Sequence, residues 1–269
     1  MQAGSTVVVT SPTHANALSF SAGVGVSDLA LTLGTATSTG VSIGGNLTIA
    51  QFAVALDSLG TNAAPNVITN LLNKDNSTYT ITGSNDLTIS AMRATTTGST
   101  VNGAAATGTL KITGNQTAFS AGSTLGDTRV GGSGSDTLRA SKNGGVLTGN
   151  GGNDTFDVSQ AFGGTSANFQ TLLITDFTKG DKILWDTTAT AFTSNKVDLS
   201  SATTIAQALD KLAAGNNTDL KWGTFGGFTY IVDDLGAGAT FTTVDMMVKL
   251  TGTLDLSTST FSGNTLTFA

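Results

Sequence analysis

Short runs of alternating apolar and polar residues recur along most of the chain. Residues 6–49 contain TVVVT, LALTL and VSIGGNLTI, and residues 77–119 contain TYTITG, NDLTIS and GTLKITG. A period of two is typical of half-buried strands, and the Gly, Asn and Ser residues between the runs favour turns. The pattern predicts a mainly β protein built as a ladder of short rungs.

Two segments, LTIAQFAVALDSLG at 47–60 and TTIAQALDKLAAGN at 203–216, have a helical period instead and place apolar residues on one helical face. They contain Gly60 and Gly215, respectively, which can supply the helix stops. Each also holds a Thr followed three residues later by Gln, the spacing of a capping box, as in Thr204 and Gln207. These patterns predict helices near 48–59 and 204–214, and NVITNLLN at 66–73 suggests a third, shorter helix. The predicted fold class is therefore mainly all-β with two or three short helices.

Composition narrows the classes of partner. The chain has 12 Lys and Arg against 18 acidic residues, a net charge of −6, which argues against nucleic acid or an anionic membrane as partner. No apolar run is long enough to span a bilayer, so membrane insertion is not expected. All the acidic residues are Asp, which suits turns and hard-cation sites better than helices. Cysteine is absent, which excludes disulfides and thiolate metal sites.

A nonapeptide repeat provides the candidate chemistry. Residues 122–157 divide into four rows of nine, GSTLGDTRV, GGSGSDTLR, ASKNGGVLT and GNGGNDTFD. Two rows fit the pattern G-G-x-G-x-D-x-U-x well, and the other two keep its register. The sixth place of the four rows holds Asp127, Asp136, Gly145 and Asp154. The eighth place holds Arg129, Leu138, Leu147 and Phe156. The apolar eighth place argues against a flexible Gly/Ser linker, and a phosphate loop would need a G-K-[ST] ending.

Each nonapeptide predicts half a coil of a parallel β-roll. Six Gly-rich residues form a turn, and the next three form a short strand with its large residue facing inward. Turns on the same edge then stack every eighteen residues, so Asp136 and Asp154 can face one Ca²⁺. Backbone carbonyl groups of four neighbouring residues would complete the shell: Gly131, Ser133, Gly149 and Gly151.

Weaker calcium candidates flank this pair. On the opposite edge Asp127 would face the turn at 140–145, which offers Gly145 where a second Asp is wanted. Asp176 and Asp181, in TDFTKGD, follow the roll closely. They could cap its last turn or hold another Ca²⁺, or could simply be turn residues beside a glycine.

The motifs GGSGSDTLR and GNGGNDTFD, followed by ITDFTKGDKILW at 174–185, resemble the RTX proteins exported by type I secretion systems. This resemblance implies repeats that fold on extracellular Ca²⁺. It also implies recognition of an uncleaved C-terminal signal by the ABC transporter. The uncharged ending FSGNTLTFA is similar to such signals. The expected location is extracellular.

A finer resemblance links residues 226–257 to the C-terminal portion of surface-layer (S-layer) proteins of the Caulobacter type. It implies a structural subunit at the bacterial cell surface that assembles with copies of itself into a calcium-dependent lattice. Because anchoring in that family is assigned to the N-terminal part, we expect this chain to be the C-terminal portion of a longer protein.

Catalysis is not expected. His14 is the only histidine, and no common hydrolase or nucleotide-binding motif occurs. Asp233 and Asp234 are adjacent, and adjacent residues of a strand point to opposite faces, which disfavours a glycosidase pair. The alternative to a surface-layer subunit is an RTX secretion and folding module of a secreted enzyme or adhesin whose active part lies upstream. The predicted organisation is a β-rich domain at 1–120, the calcium β-roll at 121–165 and a C-terminal β-rich capping and secretion-signal region at 166–269.

Overall fold

The computed structural model describes residues 6–20, 28–93, 98–114, 126–160, 164–165, 168–169, 172–186, 188–215, 219–236, 238–242 and 244–269. The first of the four nonapeptide rows begins outside these residues.

Two long sheets contain nearly all the strands of the described chain. Up to residue 114 the strands are β1 Thr6–Val9, β2 Thr13–His14, β3 Leu18–Phe20, β4 Asp28–Leu33, β5 Ser42–Ile49, β6 Ala53–Ser58, β7 Asn66–Asn73, β8 Thr78–Gly83, β9 Leu87–Ile89, β10 Thr100–Ala106 and β11 Leu110–Thr113. The middle strands are β12 Asp127–Val130, β13 Thr137–Arg139, β14 Gly145–Thr148, β15 Thr155–Asp157, β16 Gly164–Thr165, β17 Asn168–Phe169, β18 Leu172–Ile174 and β19 Lys182–Leu184. The last elements are β20 Ala191–Phe192, helix α1 Ile205–Ala213, β21 Asp219–Phe225, β22 Phe228–Asp233, β23 Met246–Thr251, β24 Thr260–Ser262 and β25 Thr265–Thr267.

The strands alternate between the two sheets, so the chain winds as a β-solenoid. Sheet 1 has the order β1-β4-β6-β8-β10-β12-β14-β18-β23-β22-β21-β20. Sheet 2 has the order β2-β5-β7-β9-β11-β13-β15-β19-β25-β24, with β3 also pairing with β5. Strands of neighbouring coils pair in parallel as far along the chain as β18 and β19. Antiparallel pairs, β19 with β25 and β22 with β23, close the C-terminal end. The protein is therefore an all-β solenoid with a β-rich C-terminal region, as predicted.

A buried column of inward-facing side chains runs along each sheet, and the longer strands of sheet 1 add a second one that includes Leu31, Leu56 and Ile81. In sheet 1 the paired positions are Leu29, Val54, Tyr79, Val101, Arg129, Leu147 and Ile174. In sheet 2 they are Ile43, Ile68, Ile89, Ile112, Leu138, Phe156 and Ile183. All of these side chains are at most 3% exposed. The core thus lies between the two sheets and needs only one large inward residue per short strand, as the nonapeptide pattern predicts.

The helix predicted near 48–59 is wrong. This segment forms the end of β5, a corner and β6. Val54 and Leu56 point inward with a period of two and pair with Leu29 and Leu31 of the previous coil, while Phe52 remains 46% exposed. Backbone pairing with coils on both sides outweighs local helical propensity here. The apparent helical face arose because a corner shifts the phase between two alternating strands.

The shorter helix suggested at 66–73 is also wrong, because these residues form β7. The helix near 204–214 is confirmed as α1. Thr204 is its N-cap and accepts a hydrogen bond from the backbone N–H of Gln207 at 3.3 Å. Gly215, just after the helix, has a φ of +100°, as expected for a helix stop. Leu209 and Leu212 of α1 are buried in a second, smaller core with residues of β22 and β23.

The two sheets continue across the predicted boundaries near 120 and 165. Strands β10 and β12 pair across the first, and β15 and β19 pair across the second. The nonapeptide region is therefore one section of a longer solenoid. No helix in the described part of the chain is long and apolar enough to cross a membrane.

Candidate metal site on one edge of the solenoid

A column of aspartates lies where the strands of sheet 2 begin. The carboxylate oxygen Oδ1 of Asp136 accepts the backbone N–H of Leu110 at 2.7 Å. Asp154 Oδ1 accepts the N–H of Asp136 at 2.8 Å, and Asp181 Oδ1 accepts the N–H of Asp154 at 2.8 Å. Each aspartate thus binds the backbone of the coil before it, and the three carboxylates lie on one edge.

The turns at 131–136 and 149–154 stack directly, as predicted from the eighteen-residue spacing. Thr137 pairs with Thr155 in the strands that follow them. Within the turns, the N–H of Gly151 donates to the Gly132 carbonyl at 3.1 Å, and the side-chain amide of Asn150 donates to the Gly131 carbonyl at 2.8 Å. The stacking brings the predicted ligand residues of the two turns side by side.

Oxygen atoms of both coils converge on Gly131. The second oxygen of Asp136, Oδ2, accepts the N–H of Gly132 at 2.5 Å. A Cβ atom placed on Gly131 would lie 2.3 Å from this Oδ2 and 2.6 Å from the Gly149 carbonyl oxygen. The position must therefore be glycine, and a carboxylate of one coil lies near a carbonyl of the next.

The remaining predicted ligands occupy the same stack. A Cβ atom on Gly149 would lie 2.1 Å from Asp154 Oδ2, so this carboxylate fills the inside of its own turn. A Cβ atom on Gly151 would lie 3.7 Å from the Ser133 carbonyl oxygen. All the groups proposed as ligands for the central Ca²⁺ thus lie in two adjacent turns.

The electrostatics of the aspartate column favour binding of a cation. Asp136 and Asp154 are each 1% exposed. Burial raises the pKa of Asp136, and burial followed by the charges of Asp136, Asp181 and Asp176 raises the pKa of Asp154 to about 6. Within the described residues, no basic side chain forms an ion pair with either carboxylate. The fold therefore gathers like charges that a cation would stabilise.

Asp176 and Asp181 cap the last turn of the roll. Asp176 accepts the N–H groups of Gly149 and Asn150 at 2.9 and 2.7 Å. Asp181 Oδ2 accepts the backbone N–H of Thr178 at 2.7 Å, and its Oδ1 reaches Asp154. Capping, one of the predicted roles, is thus present in the structure. The charges of Asp176 and Asp181 also raise the pKa of Asp154, so both carboxylates lie near the central stack. Their role in binding a further cation stays a prediction.

The opposite edge has a different arrangement around Asp127. This carboxylate forms a buried ion pair with Arg129 at 2.5 Å and accepts the backbone N–H of Ser99 at 2.8 Å. Gly145, which pairs with Asp127, has a φ of +132°, and a Cβ there would lie 2.1 Å from the Asp127 carbonyl oxygen. An aspartate does not fit at Gly145, and a basic side chain already neutralises Asp127. The geometry therefore counts against the weaker calcium site predicted on this edge.

Sequence reasoning missed two members of these arrangements. Arg129 stands at the apolar eighth place of its nonapeptide, and the signal was Asp127 two residues earlier on the same strand face. Asn66 extends the aspartate column toward the N-terminus, because its Oδ1 accepts the N–H of Val41 at 2.7 Å. A polar residue at the first position of a strand was the available signal there.

The donor set of the central stack fits a hard cation. It consists of carboxylate and carbonyl oxygens, the ligands that Ca²⁺ prefers. In the described part of the chain, no three acidic or histidine side chains gather around one point, so the fit depends on two carboxylates with backbone carbonyls. Comparison of the sequence with models of known protein families finds no match. Comparison with curated proteins finds no significant similarity either.

Proposed function

We propose that this chain is a structural subunit of a bacterial surface layer, exported by a type I system, whose β-roll folds on Ca²⁺ outside the cell. The observation that carries the proposal is the stacking of two G-G-x-G-x-D turns that bury Asp136 and Asp154 without a basic partner in the described chain. Residues 131, 133, 149 and 151 would supply the backbone oxygens.

Calcium would act by stabilising the folded coil. Without a cation, burial of Asp136 beside Asp154 opposes folding, as their raised pKa values indicate. A ligand that binds only the folded state stabilises it by about 2.7 kcal/mol at one hundred times its Kd. A low-calcium cytoplasm would thus favour the unfolded, exportable chain, and millimolar calcium outside would favour the solenoid.

The structural role is supported by the shape of the fold. The outer face of sheet 2 carries small polar residues on several of its strands, such as Thr88, Thr137 and Thr155, which are half-buried. A stack of parallel coils offers flat, repeating sides along which identical copies can align. Assembly of this chain with itself is therefore the proposed use of these faces.

Calcium titration of the melting temperature tests the folding step. We expect the wild-type chain to melt at a higher temperature in millimolar Ca²⁺ than in calcium-free buffer, and the Asp136→Asn/Asp154→Asn variant to lose most of this gain. Asp198→Asn/Asp255→Asn is the matched control, since it removes two charges from exposed turns. An equal calcium response in all three proteins would refute the proposed site.

Electron microscopy after calcium addition tests the assembly step. Ordered two-dimensional sheets would support the surface-layer role. A folded chain that stays monomeric in calcium would instead favour the alternative role as a secretion and folding module.

A further inference from the structure

A second group of carboxylates lies in the C-terminal region, away from the roll. Asp233 is the last residue of β22, Asp234 follows it, and Asp245 directly precedes β23. Their exposed fractions are 0%, 1% and 0%. Asp186, two residues beyond β19, lies close enough for its charge to act on Asp233. The strand ends at Asp233, so these two adjacent aspartates are both buried instead of lying on opposite faces.

Asp245 has a complete set of partners. Its Oδ1 accepts the N–H groups of Leu235 and Gly236, both at 2.8 Å. Its Oδ2 accepts the N–H and hydroxyl of Thr242 at 2.5 and 2.9 Å. This carboxylate therefore closes the loop between β22 and β23 through four hydrogen bonds.

Asp233 and Asp234, in contrast, each have an oxygen that no hydrogen-bond donor reaches. Asp233 Oδ1 and Asp234 Oδ2 are buried and accept no hydrogen bond, and the Asp234 carboxyl group lies against the like-charged side chain of Asp245. The other oxygens make long contacts: Thr188 hydroxyl to Asp233 Oδ2 at 3.4 Å, and Gly236 N–H to Asp234 Oδ1 at 3.3 Å. An unpaired buried carboxylate oxygen is costly, so these two atoms need a positive or protic partner.

No basic side chain provides that partner in the described structure. The ion pairs among the described residues are Arg129 with Asp127 and Arg139 with Asp157, both in the roll. Lys221 exerts a favourable charge on Asp234, but its ammonium group donates to the Ala214 carbonyl at 2.5 Å. Burial, followed by the charge of Asp186, raises the pKa of Asp233 to about 7.

We propose that Asp233 and Asp234 bind a hard divalent cation, Ca²⁺ in the first place, at a site distinct from the β-roll. The unpaired Asp233 Oδ1 and Asp234 Oδ2 are the ligands. Because no third acidic side chain of the described residues converges with them, hydroxyl, carbonyl or water oxygens complete the shell. Asp186 and Asp245 add negative charge around the site without being required as ligands.

The position of the site suggests its role. β23 joins the solenoid through parallel pairing with β18 and joins the C-terminal sheet through antiparallel pairing with β22. A cation at Asp233 and Asp234 would tie the β22–β23 loop to the segment that leaves β19, through Thr188. It would fasten the C-terminal region to the end of the solenoid. This inference does not depend on calcium binding in the roll.

Counting the calcium ions bound by the 269-residue chain tests the proposal. We expect Asp233→Asn/Asp234→Asn to bind one Ca²⁺ fewer than wild type in equilibrium dialysis, and Asp136→Asn/Asp154→Asn to retain the C-terminal ion. The first variant should be at least as stable as wild type in calcium-free buffer, because it removes two buried charges, so loss of binding will not reflect unfolding. Unchanged stoichiometry in that variant would overturn the inference and leave the proposed function standing.

Terbium luminescence gives a second, local measurement. Trp185 and Trp222 are the only tryptophans of the chain, and both are buried in the C-terminal part, next to Asp186 and on β21. We expect Tb³⁺ emission excited through tryptophan to fall at least tenfold in Asp233→Asn/Asp234→Asn and to persist in Asp136→Asn/Asp154→Asn. Equal emission from wild type and the first variant would contradict a cation at this site.

Discussion

The stability of the calcium-free protein should fall as pH rises, because of Asp154. Its pKa is about 6 in the folded chain against 3.8 for an ordinary aspartate. The folded state therefore holds this proton more tightly than the unfolded state, and stability is lost as pH rises from about 4 to about 6. At 1.36 kcal/mol per pKa unit the full effect is about 3 kcal/mol, and water around the exposed tip of the turn reduces it to about half.

The assay is urea unfolding in calcium-free buffer between pH 3.5 and 8, for wild type and Asp154→Asn. Asparagine keeps an oxygen to accept the Asp136 N–H but cannot ionise. The difference in unfolding free energy between the two proteins isolates Asp154 from other buried aspartates, such as Asp233. We expect wild type to lose about 1.5 kcal/mol relative to the variant between pH 4 and 7, and Ca²⁺ at pH 7 to reverse this loss. Parallel pH profiles would refute the reasoning.

Three further substitutions test the packing of the solenoid, each measured by chemical unfolding. Arg129→Met should lower the free energy of unfolding by about 3–5 kcal/mol, because it leaves the Asp127 charge buried and unpaired. Adding Asp127→Asn should restore most of this loss. A loss below about 1 kcal/mol in Arg129→Met would contradict the proposed ion pair. Phe156→Ala should cost about 3–5 kcal/mol, since the ring is 0% exposed in the core column; an effect no larger than that of a surface substitution would show that the column is loosely packed. Gly145→Ala should prevent folding or lower the free energy of unfolding several times more than Gly226→Ala. A Cβ at Gly145 would lie 2.1 Å from a carbonyl oxygen, whereas nothing lies within 4 Å of a Cβ at Gly226. Equal effects of the two substitutions would argue against the close approach of the coils.

The roll was predictable because its chemistry repeats at a fixed interval. Each of the two stacked turns is rich in glycine and has an aspartate at its sixth place, and a large apolar residue follows two places later. These residues define both the turn and the inward face of the strand. That pattern placed Asp136 and Asp154 on one edge, and the structure has them there. The role of Arg129 was hidden because a buried ion pair replaces an apolar side chain without changing the spacing.

The rest of the solenoid was harder to predict because its coils differ in length. Thr6 pairs with Ala30, Ala53 with Thr78, and Thr100 with Thr128, so the repeat is 24, 25 and then 28 residues. Because the interval varies, this part of the sequence contains no repeated motif that would mark where each coil begins. Local hydrophobic patterns are then compatible with either a helix or a strand. For this reason the local pattern at 47–60 predicts a helix, although the strands that form there pair with neighbours distant in sequence.

The direction of the bonds between coils determines how the molecule would carry a mechanical load. Hydrogen bonds between parallel coils run along the long axis, as do the three from backbone N–H groups to the carboxylates of Asp136, Asp154 and Asp181. Tension along this axis would act on the coil interfaces in series, so the weakest interface would open first. Tension across the axis would be shared by the covalent backbones of all coils in parallel. A sheet assembled from such units would therefore resist stretching far better in one direction than in the other.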